Sequence, residues 1–252
     1  MRKSYRELTE EIKTDGERLK LIAALGSSDD LAYHYTLISE DWAAGGKLLL
    51  ENSFDRHGEA GIVFLLERLR ALGTASKTDE SAAAGTATGT GAYTDTAYLA
   101  AKILSQLRHR DFYAARAKEL AALLTARWEI SDIALRRKQI IALGWIGSES
   151  EINLLIDSMQ SDSDALCRAW AAAALMQLSF HAVDAAVLRE RTKTAFAEAI
   201  QKEGDLNAAG IMIEAAQTLF GKKWISAAAA EAAESDSIEK ARKSALRFLG
   251  KA

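Results

Sequence analysis

The 252-residue sequence contains no proline. Average usage would place about a dozen in a chain of this length. Their absence excludes polyproline and collagen-like structure and removes the residue that most strongly interrupts a helix. Cysteine is nearly missing as well. Cys167 is alone, so no intramolecular disulfide and no multi-cysteine zinc site can form. No stretch approaches the roughly 20 apolar residues of a membrane helix. The opening Met1-Arg2-Lys3-Ser4-Tyr5-Arg6-Glu7-Leu8 lacks the apolar run of a signal peptide. These absences set the expectation of a cytoplasmic protein with no membrane partner. An excess of one charge is missing too: Lys+Arg 32 stand against Asp+Glu 35, a formal net charge of -3. Nucleic-acid binding draws much of its affinity from a basic excess, so the balance argues against a nucleic-acid partner.

What remains is rich in alanine, the best helix former, with 49% hydrophobic and 27% charged residues. That composition predicts a soluble, all-α chain. Apolar residues recur three and four apart, as at Leu8 and Ile12, then Leu19, Ile22 and Leu25. The same reading predicts helices over Leu31 to Ser39 and about Trp42 to Glu51, with a turn from Asn52 to Gly58. Ile62, Leu65, Leu66, Leu69 and Leu72 make a strong amphipathic helix that stops at Gly73. Composition then shifts. Residues 73–95 are Gly-, Ala-, Thr- and Ser-rich without a large aliphatic, which predicts a flexible loop. The expected organisation is N-terminal helical repeats over 1–72, the loop over 73–95, and a longer helical array over 96–252.

Two segments of that array superimpose. Arg136-Arg137-Lys138-Gln139-Ile140-Ile141-Ala142-Leu143-Gly144-Trp145-Ile146 aligns with Arg168-Ala169-Trp170-Ala171-Ala172-Ala173-Ala174-Leu175-Met176-Gln177-Leu178. Arginine falls on arginine, Ala142-Leu143 on Ala174-Leu175 and Ile146 on Leu178. The offset suits a helical-hairpin repeat. Arg18 with Ala24-Leu25 keeps the spacing, and Ile238 with Ala245-Leu246 keeps it without the arginine. Alanine permits close helix approach, and leucine fills the seam. A single hairpin cannot cover its own apolar face, so neighbours must stack. Arg18, Arg136 and Arg168 are expected to be structural, bonding acids or open carbonyls of an adjacent repeat.

With these residues the chain resembles the HEAT-repeat family in its short bacterial form. The resemblance implies an α-α superhelix, a right-handed solenoid of antiparallel helical hairpins. It also implies that the second helix of each hairpin lines the concave face. Lys138 and Trp145 in one repeat, Trp170 and Gln177 in the next, and Phe248 in the last helix lie roughly opposite the Ala-Leu seam. They are the candidate residues for binding a protein or peptide; the competing reading packs them against neighbouring repeats.

No enzyme motif is present. Gly89-Thr90-Gly91 has no strand before it, and Gly45-Gly46-Lys47 lacks the rest of a phosphate-binding loop. His34, His57, His109 and His181 are scattered and are read as surface or capping residues. Cys167 reads as a buried core thiol. The expectation is a non-catalytic scaffold, with no cofactor, no metal and no catalytic residue. The alternative is a DNA-binding or base-excising protein similar to the HEAT-like alkylpurine DNA glycosylases, with Trp145 and Trp170 in an aromatic groove.

Overall fold

A computed structural model describes residues 2–78 and 87–250. Among the described residues every regular element is helical and none is a strand, as the composition predicts. The chain divides into two compact units, Met1–Arg116 and Ala117–Ala252.

The first unit carries α1 (Tyr5–Glu11), α2 (Asp15–Gly26), α3 (Leu31–Ala43), a 3₁₀ segment (Leu50–His57), α4 (Gly58–Thr78) and α5 (Ala87–Gln106). It also holds the start of α6 (Tyr113–Thr125). Capping boxes open the first two helices. Ser4 and Thr14 accept the amides of Glu7 and Glu17, whose carboxylates return to the cap backbones. The helix expected over Trp42 to Glu51 does not form. Instead α3 continues to Ala43, and Gly45 and Gly46 follow at φ +94 and +66, where helical propagation ends. The expected turn after it is the 3₁₀ segment, and the unit is built around that segment: α2, α3, α4 and α5 all pack on it. Leu50 and Phe54 are wholly buried there. Buried Asp41 fixes its entry by accepting the Leu48 amide at 2.9 Å and the Tyr5 hydroxyl at 2.8 Å.

Both ends of the loop expected over 73–95 are helical. Helix α4 runs through Thr78 and α5 starts at Ala87; the middle of the expected loop lies outside the described residues. Low helix propensity is overridden here by packing. Tyr93, Thr94 and Thr96 are buried, and the Thr96 hydroxyl meets that of Tyr35 at 2.5 Å. Small residues bury surface without a large aliphatic, which composition alone does not reveal. The boundary between the two compact units falls within α6, after Arg116.

His34 corrects the expectation of a surface histidine. It is fully buried, with its ring Nε2 3.0 Å from the Leu50 carbonyl and its Nδ1 2.8 Å from Nε2 of His57. A carbonyl only accepts, so Nε2 of His34 carries the proton and donates it. In the neutral His34 ring, which its burial favours, Nδ1 is left to accept from Nε2–H of His57. Burial pushes both pKa values below 6.5; the Leu50 carbonyl opposes this at His34, and Asp55 and Asp29 oppose it at His57.

The second unit continues from α6 with α7 (Ile133–Ile146), a short 3₁₀ turn, α8 (Ile152–Ser161), α9 (Ala165–Leu178), α10 (Ala185–Lys202), α11 (Leu206–Leu219), α12 (Ala227–Glu231) and α13 (Ser235–Leu249). Aspartates 132, 164, 184 and 205 cap α7, α9, α10 and α11. Helix α7 packs on α9, α9 on α11, and α11 on α13, which forms one layer; α8 packs on α10 and α10 on α13 beside it. Within pairs, α8 packs on α9 and α10 on α11. This is the stacked-hairpin arrangement of an α-solenoid. Ala142, Leu143, Ala174 and Leu175 are all buried at its seam, as the repeat requires. Each buried leucine contributes roughly 1.5–3 kcal/mol. The helices come close at Gly144, where an added Cβ would stand 2.8 Å from both Cα and Cβ of Ala174. A second small-residue contact sets Gly210 against Ala230.

Two predictions follow from this packing. Gly144→Val forces α7 away from the α9 backbone and lowers stability by about 2–3 kcal/mol in urea unfolding, because overpacking has no flexible side chain to absorb it. In the first unit, the unfolded histidines bind protons that the folded pair excludes. Stability is therefore complete above pH 6.5 and falls as pH drops below it, with a slope of up to about 1.4 kcal/mol per pH unit for each excluded proton. Thermal unfolding between pH 7.5 and 5.5 reads this fall, and His57→Gln should flatten it.

Candidate functional site

Stacking hairpins presses the turns before α9 and α11 against their neighbours, and arginine satisfies those turns. The Arg136 guanidinium holds Asp162 through two bonds, at 2.7 and 2.9 Å, and donates to the Ile130 carbonyl at 2.7 Å. Arg168 repeats the geometry one hairpin on. It holds Glu203 at 2.7 and 2.9 Å and donates to the Asp162 carbonyl at 2.7 Å. Arg242 donates to the Glu203 carbonyl at 2.7 Å and to that of Ile200 at 3.0 Å. Asp162 and Glu203 are therefore shared: the side chain of each takes one arginine and its carbonyl takes the next. The result is a continuous ladder from α7 to α13.

The acids also shape their own turns. Asp162 accepts the Asp164 amide and Glu203 accepts the Asp205 amide, so each acid sits two residues before a helix cap. Burial tends to raise the pKa of Glu203, whose side chain is only 1% exposed. The Arg168 guanidinium, with the Asp205 and Gly204 amides, outweighs that and holds it below the ordinary value. Asp164 is held down to about 2, first by Arg137, whose guanidinium it takes at 3.0 and 2.9 Å, and then by the Cys167 amide. Cys167 is fully buried, and burial pushes its thiol up to about 11, so it stays protonated and unreactive.

The arginines expected to be structural are not equivalent. Arg136 and Arg168 join neighbouring repeats. Arg18 pairs with Asp15 of its own helix and reaches the Leu48 carbonyl at 3.4 Å, without an acid from another helix pair. Arg242 was not evident from the repeat, because it lies three residues later in α13 than the repeat register places an arginine. Glu203 was obscured for a related reason: the arginine position of α11 holds Ala209.

The candidate recognition residues have different fates. Trp170, on α9, is 37% exposed. Trp145, Lys138 and Gln177 are half-buried, and the first two are engaged with neighbours. Phe248 is held in an aromatic cluster, with ring centroids 6.0 Å from Phe220 and 5.8 Å from Trp224; the Lys222 ammonium lies 4.6 Å from its ring centre. Phe248 is half-buried there. Among the described residues no group of three or more His, Cys, Asp or Glu side chains could hold a metal ion.

Residues 90–176 match the family described as HEAT repeats. The stretch runs from α5 through most of α9 and includes the first arginine pair of the ladder. HEAT repeats generally serve as protein-interaction scaffolds and are typically non-catalytic. Neither the curated proteins nor the solved structures provide a match.

Removing a rung should expose the ladder's role. Arg168→Leu strands the buried Glu203 carboxylate and costs about 3–5 kcal/mol, whereas Arg18→Leu, facing an exposed partner, costs less than about 1 kcal/mol. Arg168→Lys falls between, since an ammonium cannot span both carboxylate oxygens and the Asp162 carbonyl in one plane. Urea unfolding of the three variants ranks them.

Proposed function

We propose that this chain is a non-catalytic scaffold that binds a protein or peptide on the concave face of its stacked hairpins. The observation that carries the reading is Trp170. A large aromatic side chain, more than a third exposed, stands on a helix whose other faces are locked by the Ala-Leu seam and by Arg168. Rigid aromatic anchors of this kind supply much of the energy of protein interfaces, because little freedom is lost when they are covered. Half-buried Trp145, Lys138 and Gln177 complete the proposed surface. Cytoplasmic action fits the lone buried thiol. No helix among the described residues is long and apolar enough to cross a membrane.

A photo-reactive cross-linker at position 170, used on source-cell lysate with and without nuclease, tests the reading. The expected result is a defined protein adduct insensitive to nuclease, together with a Trp170→Ala variant that keeps its stability within about 1 kcal/mol and loses capture at least about tenfold. A salt-dependent affinity for duplex DNA would instead favour the glycosylase-like reading. Loss of several kcal/mol on Trp170→Ala would make Trp170 a core residue and remove the surface.

A further inference from the structure

A groove of about 580 Å³ opens in the second unit between the connection leading from α6 to α7 and the flank of α8. Trp128 and Glu129 line it from the connection; Asp157, Ser158 and Asp162 line it from α8 and the turn after it. Among the described residues Arg136 is the only basic one in its wall, and its guanidinium is already committed to Asp162 and to the Ile130 and Ser131 carbonyls. Three carboxylates therefore face one spent cation. Glu129 and Asp157 are exposed and have no ion-pair partner among the described residues.

A second observation singles out the same place. Ser158 is only 8% exposed, yet its hydroxyl has no hydrogen-bond partner among the described residues, unlike that of Ser161, which bonds the Asp157 carbonyl. The hydroxyl opens to the groove, so a ligand there meets a side chain that is otherwise bonded only to solvent. Trp128 supplies an aromatic wall that is half-buried and so partly held in place. An indole face, two unpaired carboxylates and a waiting hydroxyl form the chemistry that recognises a planar cation. An anion would meet repulsion on two sides, and a purely apolar group would leave the carboxylates desolvated.

We propose that this groove binds a cationic side chain, an arginine presented by a basic peptide segment, stacked on Trp128 and held by Glu129 and Asp157. The guanidinium plane lies along the indole, its N–H groups donate to the two carboxylates, and one of them reaches the Ser158 hydroxyl. The site deepens the scaffold reading by stating the charge of the partner segment, but it uses none of the residues around Trp170.

The test uses the full chain labelled with 15N-tryptophan. The Trp128 indole signal is assigned by its loss in Trp128→Phe. The probe is an acetylated, amidated pentapeptide with a central arginine among alanine and glycine; matched peptides carry lysine or citrulline at the centre. The arginine peptide is expected to shift the Trp128 signal saturably in the millimolar range. The lysine peptide should bind more weakly, and the neutral citrulline peptide should leave the signal in place. The paired substitutions Glu129→Gln and Asp157→Asn, at exposed positions that leave the fold intact, should weaken the arginine peptide by about fivefold or more. An unmoved Trp128 signal, an equal response to citrulline, or full affinity in the paired variant would each overturn the assignment. Because the signal comes from Trp128, such a result would leave the Trp170 surface standing.

Discussion

Stacking helical hairpins has a polar cost as well as an apolar benefit. Helices end with carbonyls that lack helical partners, and a neighbouring hairpin laid over such an end removes the water that would satisfy them. In the second unit this cost is met by arginines at the turns. One guanidinium carries five donors in a fixed plane, enough to hold a carboxylate through two bonds and a carbonyl through a third. Arg136 and Arg168 do both at once. Without them the Ala-Leu seam could still attract, but it would draw unsatisfied backbone out of water along with the apolar surface.

Seam and ladder therefore divide the labour. Alanine and glycine set how near two helices can come, as at Gly144 over Ala174. Such contacts are non-directional and would tolerate sliding by a turn. The bidentate pairs are directional, so they fix which turn meets which. Asp162 and Glu203 each serve two arginines through different atoms, which links one interface to the next. A disturbance at one rung reaches the carbonyl that the following rung uses. The ladder also extends to Arg242, well past the stretch matched as HEAT repeats, so the packing rule outlasts the recognisable sequence.

The seam was legible in the sequence because it repeats: Ala142-Leu143 and Ala174-Leu175 occur at one register and are buried as that register demands. Two rungs were legible for the same reason. The rest of the ladder was not, because what is maintained there is a bond and not a position. Arg242 reaches its carbonyls from a different helical register, and Glu203 does the work that Asp162 does with one more methylene. The signal that would have found the acids is local, an acid two residues before an aspartate cap, as in Asp162-Ser163-Asp164 and Glu203-Gly204-Asp205. In the first unit the sequence misleads for another reason. Tyr93 and Thr94 fall in the stretch that composition reads as loop and become core residues through tertiary contact, and His34 looks solitary until the fold brings His57 to it.

The two buried polar systems respond to protons in opposite ways, and that difference bears on which unit can serve as a rigid platform in acid. Glu203 and Asp164, at the turns of the second unit, are held ionised by Arg168 and Arg137. Arg137 holds Asp164 down to about 2, so that contribution is complete well above the ordinary value of 3.8 and is lost progressively as pH falls from there through about 2. The histidine pair is most stable neutral, and its contribution begins to fade below pH 6.5. In mild acid, then, the first unit loosens around its 3₁₀ segment while the stacked hairpins of the second keep their polar bonds. The surface proposed on α9 is borne by the unit whose polar bonds acid disturbs last.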